Sequence, residues 1–176
     1  MRKVQYGVAI SLDGFIAGPN GEADWIKVDS KINFSEIWAQ FDILMMGRRT
    51  FEVAVARLGQ ATFGGKDVFV LSGSLKPQDH PGVTIVSEPS RQWMQSLKGQ
   101  AGRDIWLMGG GEVFRYMLGL GEVDSVSVMV IPVLLGAGVP LMSGPYDQTI
   151  LKLSAHRVYQ SGVVSLTYEI NKSFKE

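Results

Sequence analysis

Twice in this chain an apolar run of strand length ends in glycine and passes straight into a helical pattern. Asp42–Gly47 leads into Arg48–Gly59, and Asp104–Met108 leads through Gly109, Gly110 and Gly111 into a run ending at Leu118. In the first of these helices Phe51, Val55 and Leu58 recur at helical spacing before Gly59, the pattern of an amphipathic helix closed by glycine. Val4–Ile10, Asp67–Ser72 and Gly82–Ser87 read as further short apolar strands, and Pro89 and Gly99 bracket another helix. Ile32, Ile37, Trp38 and Phe41 also fall at helical spacing, with Ser30 or Asn33 as cap. Strands that alternate with helices pair in parallel, because each crossover returns the chain to the same edge. Beyond Glu122 the rhythm changes. Val123–Val133, Ile150–Tyr159 and Val163–Ile170 read as strands joined by loops without room for crossover helices, and so as antiparallel. The expectation is one α/β domain over residues 1–176 with a mixed, mainly parallel sheet and antiparallel C-terminal strands.

Composition narrows the partners. Seventeen basic residues balance seventeen acidic ones, which leaves no global field to draw in a nucleic acid or an anionic membrane. The N-terminal apolar stretch is too short and polar for a signal sequence, and Val126–Leu135, interrupted by Ser127 and Pro132, is far short of a membrane span. With no cysteine and only His80 and His156, neither a disulfide framework nor a zinc site is expected. The default is a cytoplasmic protein acting on a small molecule.

In open α/β sheets, ligands lie beyond the carboxyl ends of the strands. Exposed amides and the positive helix dipole make the Gly109–Gly111 turn suited to a phosphate; the alternative is that these glycines serve strand–helix packing alone. Glu112 fits either reading, since an acid in a first helical turn complements the dipole. The other turn is more telling. Arg48 and Arg49 begin a helix, where the dipole disfavours cations, and a bound anion held by guanidinium forks and Thr50 resolves that conflict. Ser72, Gly73 and Ser74 add small donors and an approachable backbone at a third strand end. Separated phosphate sites of this kind suggest NADPH.

The ordered set "SLDGFIAGPNGEADW", "LMMGRRTFE", "VFVLSGSL" and "IWLMGGGEVFRYML" resembles the dihydrofolate reductase superfamily. The later "VIPVLLGAGVPLM" resembles the RibD C-terminal reductase domain of riboflavin-biosynthesis deaminase-reductases and the small stand-alone proteins related to it. The resemblance spans nearly the whole chain and implies a three-layer α/β/α fold, NADPH as cofactor and a homodimer. It places the 2′-phosphate side of NADPH at Gly47, Arg48, Arg49 and Thr50, and the adenosine part at Leu71, Ser72 and Gly73, with Ser74 beside them. It places the pyrophosphate at Met108, Gly109, Gly110, Gly111, Glu112, Val113 and Phe114. The nicotinamide falls to Ala9, Ile16, Ala17 and Gly18. It also implies a cis peptide at Gly109-Gly110.

The resemblance to dihydrofolate reductases stops at the pteridine carboxylate, about fifteen residues before the methionine of the "MGR" motif, where Lys31 stands. Asp24, Trp25 and Asp29 are the remaining catalytic candidates. Simple loop packing is the alternative for Trp25, since a large aromatic is more often core than ligand platform, and a surface role is favoured over catalysis for Asp29. The implied reaction is hydride transfer to a C=N or C=O group of a small heterocycle, of the 5-amino-6-(5-phosphoribosylamino)uracil type. The alternatives are dihydrofolate reduction and nucleotide binding without catalysis.

Overall fold

A computed structural model describes residues 1–27, 29–59 and 63–171. Its centre is an eight-stranded sheet in the order β5-β4-β3-β6-β1-β7-β10-β9. The strands are β1 (Val4–Ser11), β3 (Phe41–Gly47), β4 (Asp67–Leu71), β5 (Thr84–Val86), β6 (Asp104–Gly109), β7 (Ser125–Ile131), β9 (Leu151–Val158) and β10 (Val164–Ile170). A separate two-stranded ribbon joins β2 (Phe15–Ala17) to β8 (Val139–Pro140). Among the described residues the α-helices are α1 (Phe34–Ala39), α2 (Arg48–Leu58), α3 (Arg91–Gly99) and α4 (Gly111–Gly119).

The parallel core is as the alternating pattern predicts, with β4 and β6 each pairing in parallel with β3, and β6 also with β1. One strand of the C-terminal part differs from the expected antiparallel set. β7 runs parallel to β1 over Gln5–Ser11, because α4 has already carried the chain across the sheet; β10 then reverses against β7, and β9 against β10. The first helix is also shorter than its apolar spacing suggests. Asn33 caps it by accepting the Glu36 N–H, and Phe41 opens β3 instead of closing the helix.

Two apolar layers fix the sheet. On one face Val4, Tyr6, Ile105, Leu107, Met94, Phe114 and Met117 pack beneath α3 and α4, with Tyr6 stacked on Phe114 at 3.9 Å between ring centroids. Burial pushes the Tyr6 phenol well above its ordinary pKa, and its hydroxyl donates to the Leu141 carbonyl. On the other face Leu44, Met46, Phe51, Val68 and Val70 pack under α2. That second cover stops short. On the same face Gln5, Gly7, Ser127, Thr167 and Ala155 form part of the wall of a cleft. No helix among those described is long and apolar enough to cross a membrane.

Candidate functional site

The carboxyl ends of β4, β3 and β6 lie side by side, with Leu71 opposite Gly47 and Met46 opposite Gly109. At about 4.8 Å per strand, these ends place the starts of α2 and α4 next to each other. They open into one cleft of about 1540 Å³. Gly47, Arg48, Arg49, Thr50, Leu71, Ser72, Gly73, Ser74, Met108, Gly109, Gly110, Gly111, Glu112 and Val113 all line it, as do Ala9, Ile16 and Ala17. Residues separated by a hundred positions in the chain are thus assembled by strand order alone.

The helix starts differ in a way that bears on ligands. α1 and α3 are capped by side chains, Asn33 accepting from Glu36 and Ser90 from Trp93. α2 and α4 begin at Gly47 and Gly110 with no side-chain cap. Their first amides face the cleft unsatisfied by side chains, where the dipole favours an anion. Arg48 pairs with Glu52 at 3.2 Å, while Arg49 is exposed and forms no salt bridge among the described residues.

The three glycines divide their work. The Gly109–Gly110 peptide is cis and Gly109 has φ +123°, a region L side chains rarely adopt. A Cβ on Gly111 would lie 2.9 Å from the Leu141 carbonyl oxygen and 3.0 Å from that of Pro140, so this glycine is needed for packing. A Cβ on Gly110 would meet nothing closer than Thr50 Oγ1 at 3.8 Å. Space at Gly110 thus admits a Cβ, and Gly110 lines the cleft.

Five of the residues singled out from the sequence do not line this cleft, and each has another place. Phe114 is core, 4% exposed, because the helix turns it inward onto Tyr6. Gly18 is buried beside the Glu22 side chain. Asp24 is exposed; Trp25 packs with Ile32, Ile131 and Val163 while its indole donates to the Glu22 carbonyl. Asp29 accepts the Lys31 amide at 2.8 Å and the Ser161 amide at 3.1 Å. The Ser161 side chain, with the Lys31 amide, holds its carboxyl below the ordinary aspartate range.

The other half of the cleft has no counterpart among the residues to which the sequence points. Its floor carries Gln5, Gly7, Ser127, Thr167, Ser165 and Ala155, and Phe34, Ile37, Ile26 and Ile32 supply apolar wall. Ser127 and Thr167 share a 3.1 Å hydrogen bond, and Trp106 donates to the Gly7 carbonyl at 2.9 Å. Alternating polar residues in a strand read as a solvated face, so only the sheet order reveals them as a floor.

The family model described as the RibD C-terminal domain matches residues 2–165. The uncharacterized proteins YyaP and YwjB of Bacillus subtilis are each 29% identical to this chain. YyaP aligns over 97% of this chain and 96% of its own length, YwjB over 92% and 95%. Among solved structures, a candidate riboflavin biosynthesis protein from Shewanella sp. PV-4 superposes with TM-score 0.83 at 26% identity, covering 98% of this chain and all of that one. Dihydrofolate reductase from Enterococcus faecalis, complexed with NADP(H), superposes with TM-score 0.71 at 17% identity, covering 97% of both chains, and shares the fold.

Proposed function

The chain belongs to the RibD C-terminal domain family, and on that premise we propose that it is an NADPH-dependent reductase of a small heterocycle, working as a cytoplasmic homodimer. The observation that carries the cofactor assignment is Gly110: it is bare toward the cleft with room for a side chain, between two helix starts that lack side-chain caps. A pyrophosphate fits such a cradle, since the amides at the start of α4 donate to it and the dipole favours its charge. Arg48, Arg49 and Thr50 would hold the 2′-phosphate, with Leu71, Ser72 and Gly73 against the adenosine. When bound, NADPH supplies the hydride.

The chain's own part is orientation. Ala9, Ile16 and Ala17 form a small apolar surface at the junction of the two halves of the cleft, suited to holding a nicotinamide ring against substrate and excluding water. Substrate then lies over the Gly7 and Ser127 floor. Reduction of 5-amino-6-(5-phosphoribosylamino)uracil is the reading we favour over dihydrofolate. No carboxylate among the described residues lines the floor half, and Asp29 is committed to backbone amides. Stopped-flow oxidation of protein-bound NADPH with each substrate tests this: turnover of the uracil derivative alone is expected. Binding of NADPH without oxidation by either would favour a nucleotide-binding module.

A further inference from the structure

Arg157 is the one lysine, arginine or carboxylate side chain lining the floor half of the cleft among the described residues. Polar side chains of the floor are spent on one another or on the backbone, Ser127 with Thr167 and Trp106 with the Gly7 carbonyl. The guanidinium is exposed, is absent from the salt bridges of the described residues, and lies over the Tyr159 ring at 5.0 Å. Stacking fixes the plane of the fork while leaving its N–H groups free.

The turn that carries Tyr159 is itself fastened. Its backbone closes between Tyr159 and Val163 at 2.9 Å, Asp29 accepts the Ser161 amide, and Lys31 Nζ donates to Gln160 Oε1 at 2.8 Å. Asp29, the carboxylate that holds this turn, directs its two oxygens at the Lys31 and Ser161 amides and makes no salt bridge with Arg157 among the described residues. A fixed, unpaired guanidinium at the end of an otherwise uncharged floor is a receptor for an anion.

We propose that Arg157 determines substrate specificity by binding an anionic group at the end of the substrate remote from the atom that is reduced. The inference rests on the reductase reading for the identity of that half of the cleft, but not on turnover for its test. A phosphate monoester and a carboxylate share the required chemistry, and they distinguish the two substrate types.

Isothermal titration of the NADPH-saturated protein with ribose 5-phosphate, ribose and p-aminobenzoyl-glutamate separates these sources, and the same titrations on free protein make the result independent of the cofactor. Ribose 5-phosphate is expected to bind, ribose to bind at least tenfold more weakly, and Arg157→Ala to abolish the difference. Arg157→Lys should restore part of it. Preferential binding of the glutamate would keep Arg157 as anion receptor and shift the substrate to the folate type. Equal affinities in wild type and Arg157→Ala, or no binding of either anion to wild type, would overturn the proposal. Failure of NADPH to bind in a parallel fluorescence titration would instead overturn the reductase reading.

Discussion

A Cβ on Gly47 would sit 2.8 Å from Val113 Cγ2, so the start of α2 and the first turn of α4 are in contact across the cleft wall. That contact joins the two turns into one surface. A ligand with two separated phosphates can then reach both uncapped helices without the protein moving.

Gly110 and Gly111 should respond in opposite ways to the same methyl group. Gly111→Ala forces a Cβ against two backbone carbonyls at 2.9 and 3.0 Å and should lose about 1–3 kcal/mol of stability. Gly110→Ala meets only Thr50 Oγ1 at 3.8 Å and should bind NADPH at least tenfold more weakly with the fold intact. Thermal unfolding and NADPH titration on each purified variant check both arms. Unchanged NADPH affinity in folded Gly110→Ala would return the triple glycine to packing alone.

Arg49 is expected to matter more than Arg48 for cofactor choice. Arg48 already shares charge with Glu52 at 3.2 Å, both half-exposed, whereas no salt bridge engages Arg49 among the described residues. Arg49→Ala should cost roughly 1.5–3 kcal/mol of NADPH binding, and leave NADH almost unaffected. Fluorescence titration with both nucleotides decides it, and equal wild-type affinities would remove the 2′-phosphate assignment.

The strand pattern and turn glycines make the β3–β4–β6 core and the two glycine-led helix starts legible, because both are local: a strand, its glycine and the helix that follows are contiguous in the chain. What was not legible depends on distant pairings. Nothing near Asp29 announces Ser161, 132 residues away, so the sequence shows a surface residue and not the clamp it forms. Ser127 and Thr167 become a floor only when β10 is laid beside β7. Phe114 continues a glycine motif in sequence, yet the helical turn that follows Gly111 carries its ring into the core.

Self-association should run through the side of β9 opposite the cleft. Strand alternation puts Leu151, Leu153 and Val158 on the face away from Arg157, and they are 40%, 48% and 70% exposed. An edge strand with that much apolar surface favours a second copy. Sedimentation equilibrium should show a dimer at micromolar concentration and a monomer for Leu153→Asp, with NADPH affinity retained. A monomeric wild type would remove the dimer from the proposed function.

Asp13 should give stability a marked acid limb. Its carboxylate accepts the Ser11 hydroxyl at 2.6 Å and the Gly136 amide at 2.7 Å. These bonds, the Ser11 hydroxyl first, hold its pKa below the ordinary value. A depressed carboxylate stabilises the fold above its unfolded pKa and loses that contribution as pH falls through its folded one. Asp13→Asn should therefore lower Tm at pH 7, and the gap from wild type should close below about pH 4. A constant gap across the acid range would mean that the charge of Asp13 is irrelevant to its place in the turn.

The loop that covers the cleft is made early and fastened late. Asp13 reaches Leu135 and Gly136 across 122 and 123 residues, and Lys31 and Asp29 reach Gln160 and Ser161 across 129 and 132. At roughly 5–20 residues added per second on the ribosome, the loop waits about 6–26 seconds for its anchors to be synthesised. β1 waits too, for β6 and β7 on either side. The nascent chain thus carries the starts of α2 and α4 before the anchors of this loop exist, and β10, which supplies Thr167 to the cleft floor, follows only after those anchors.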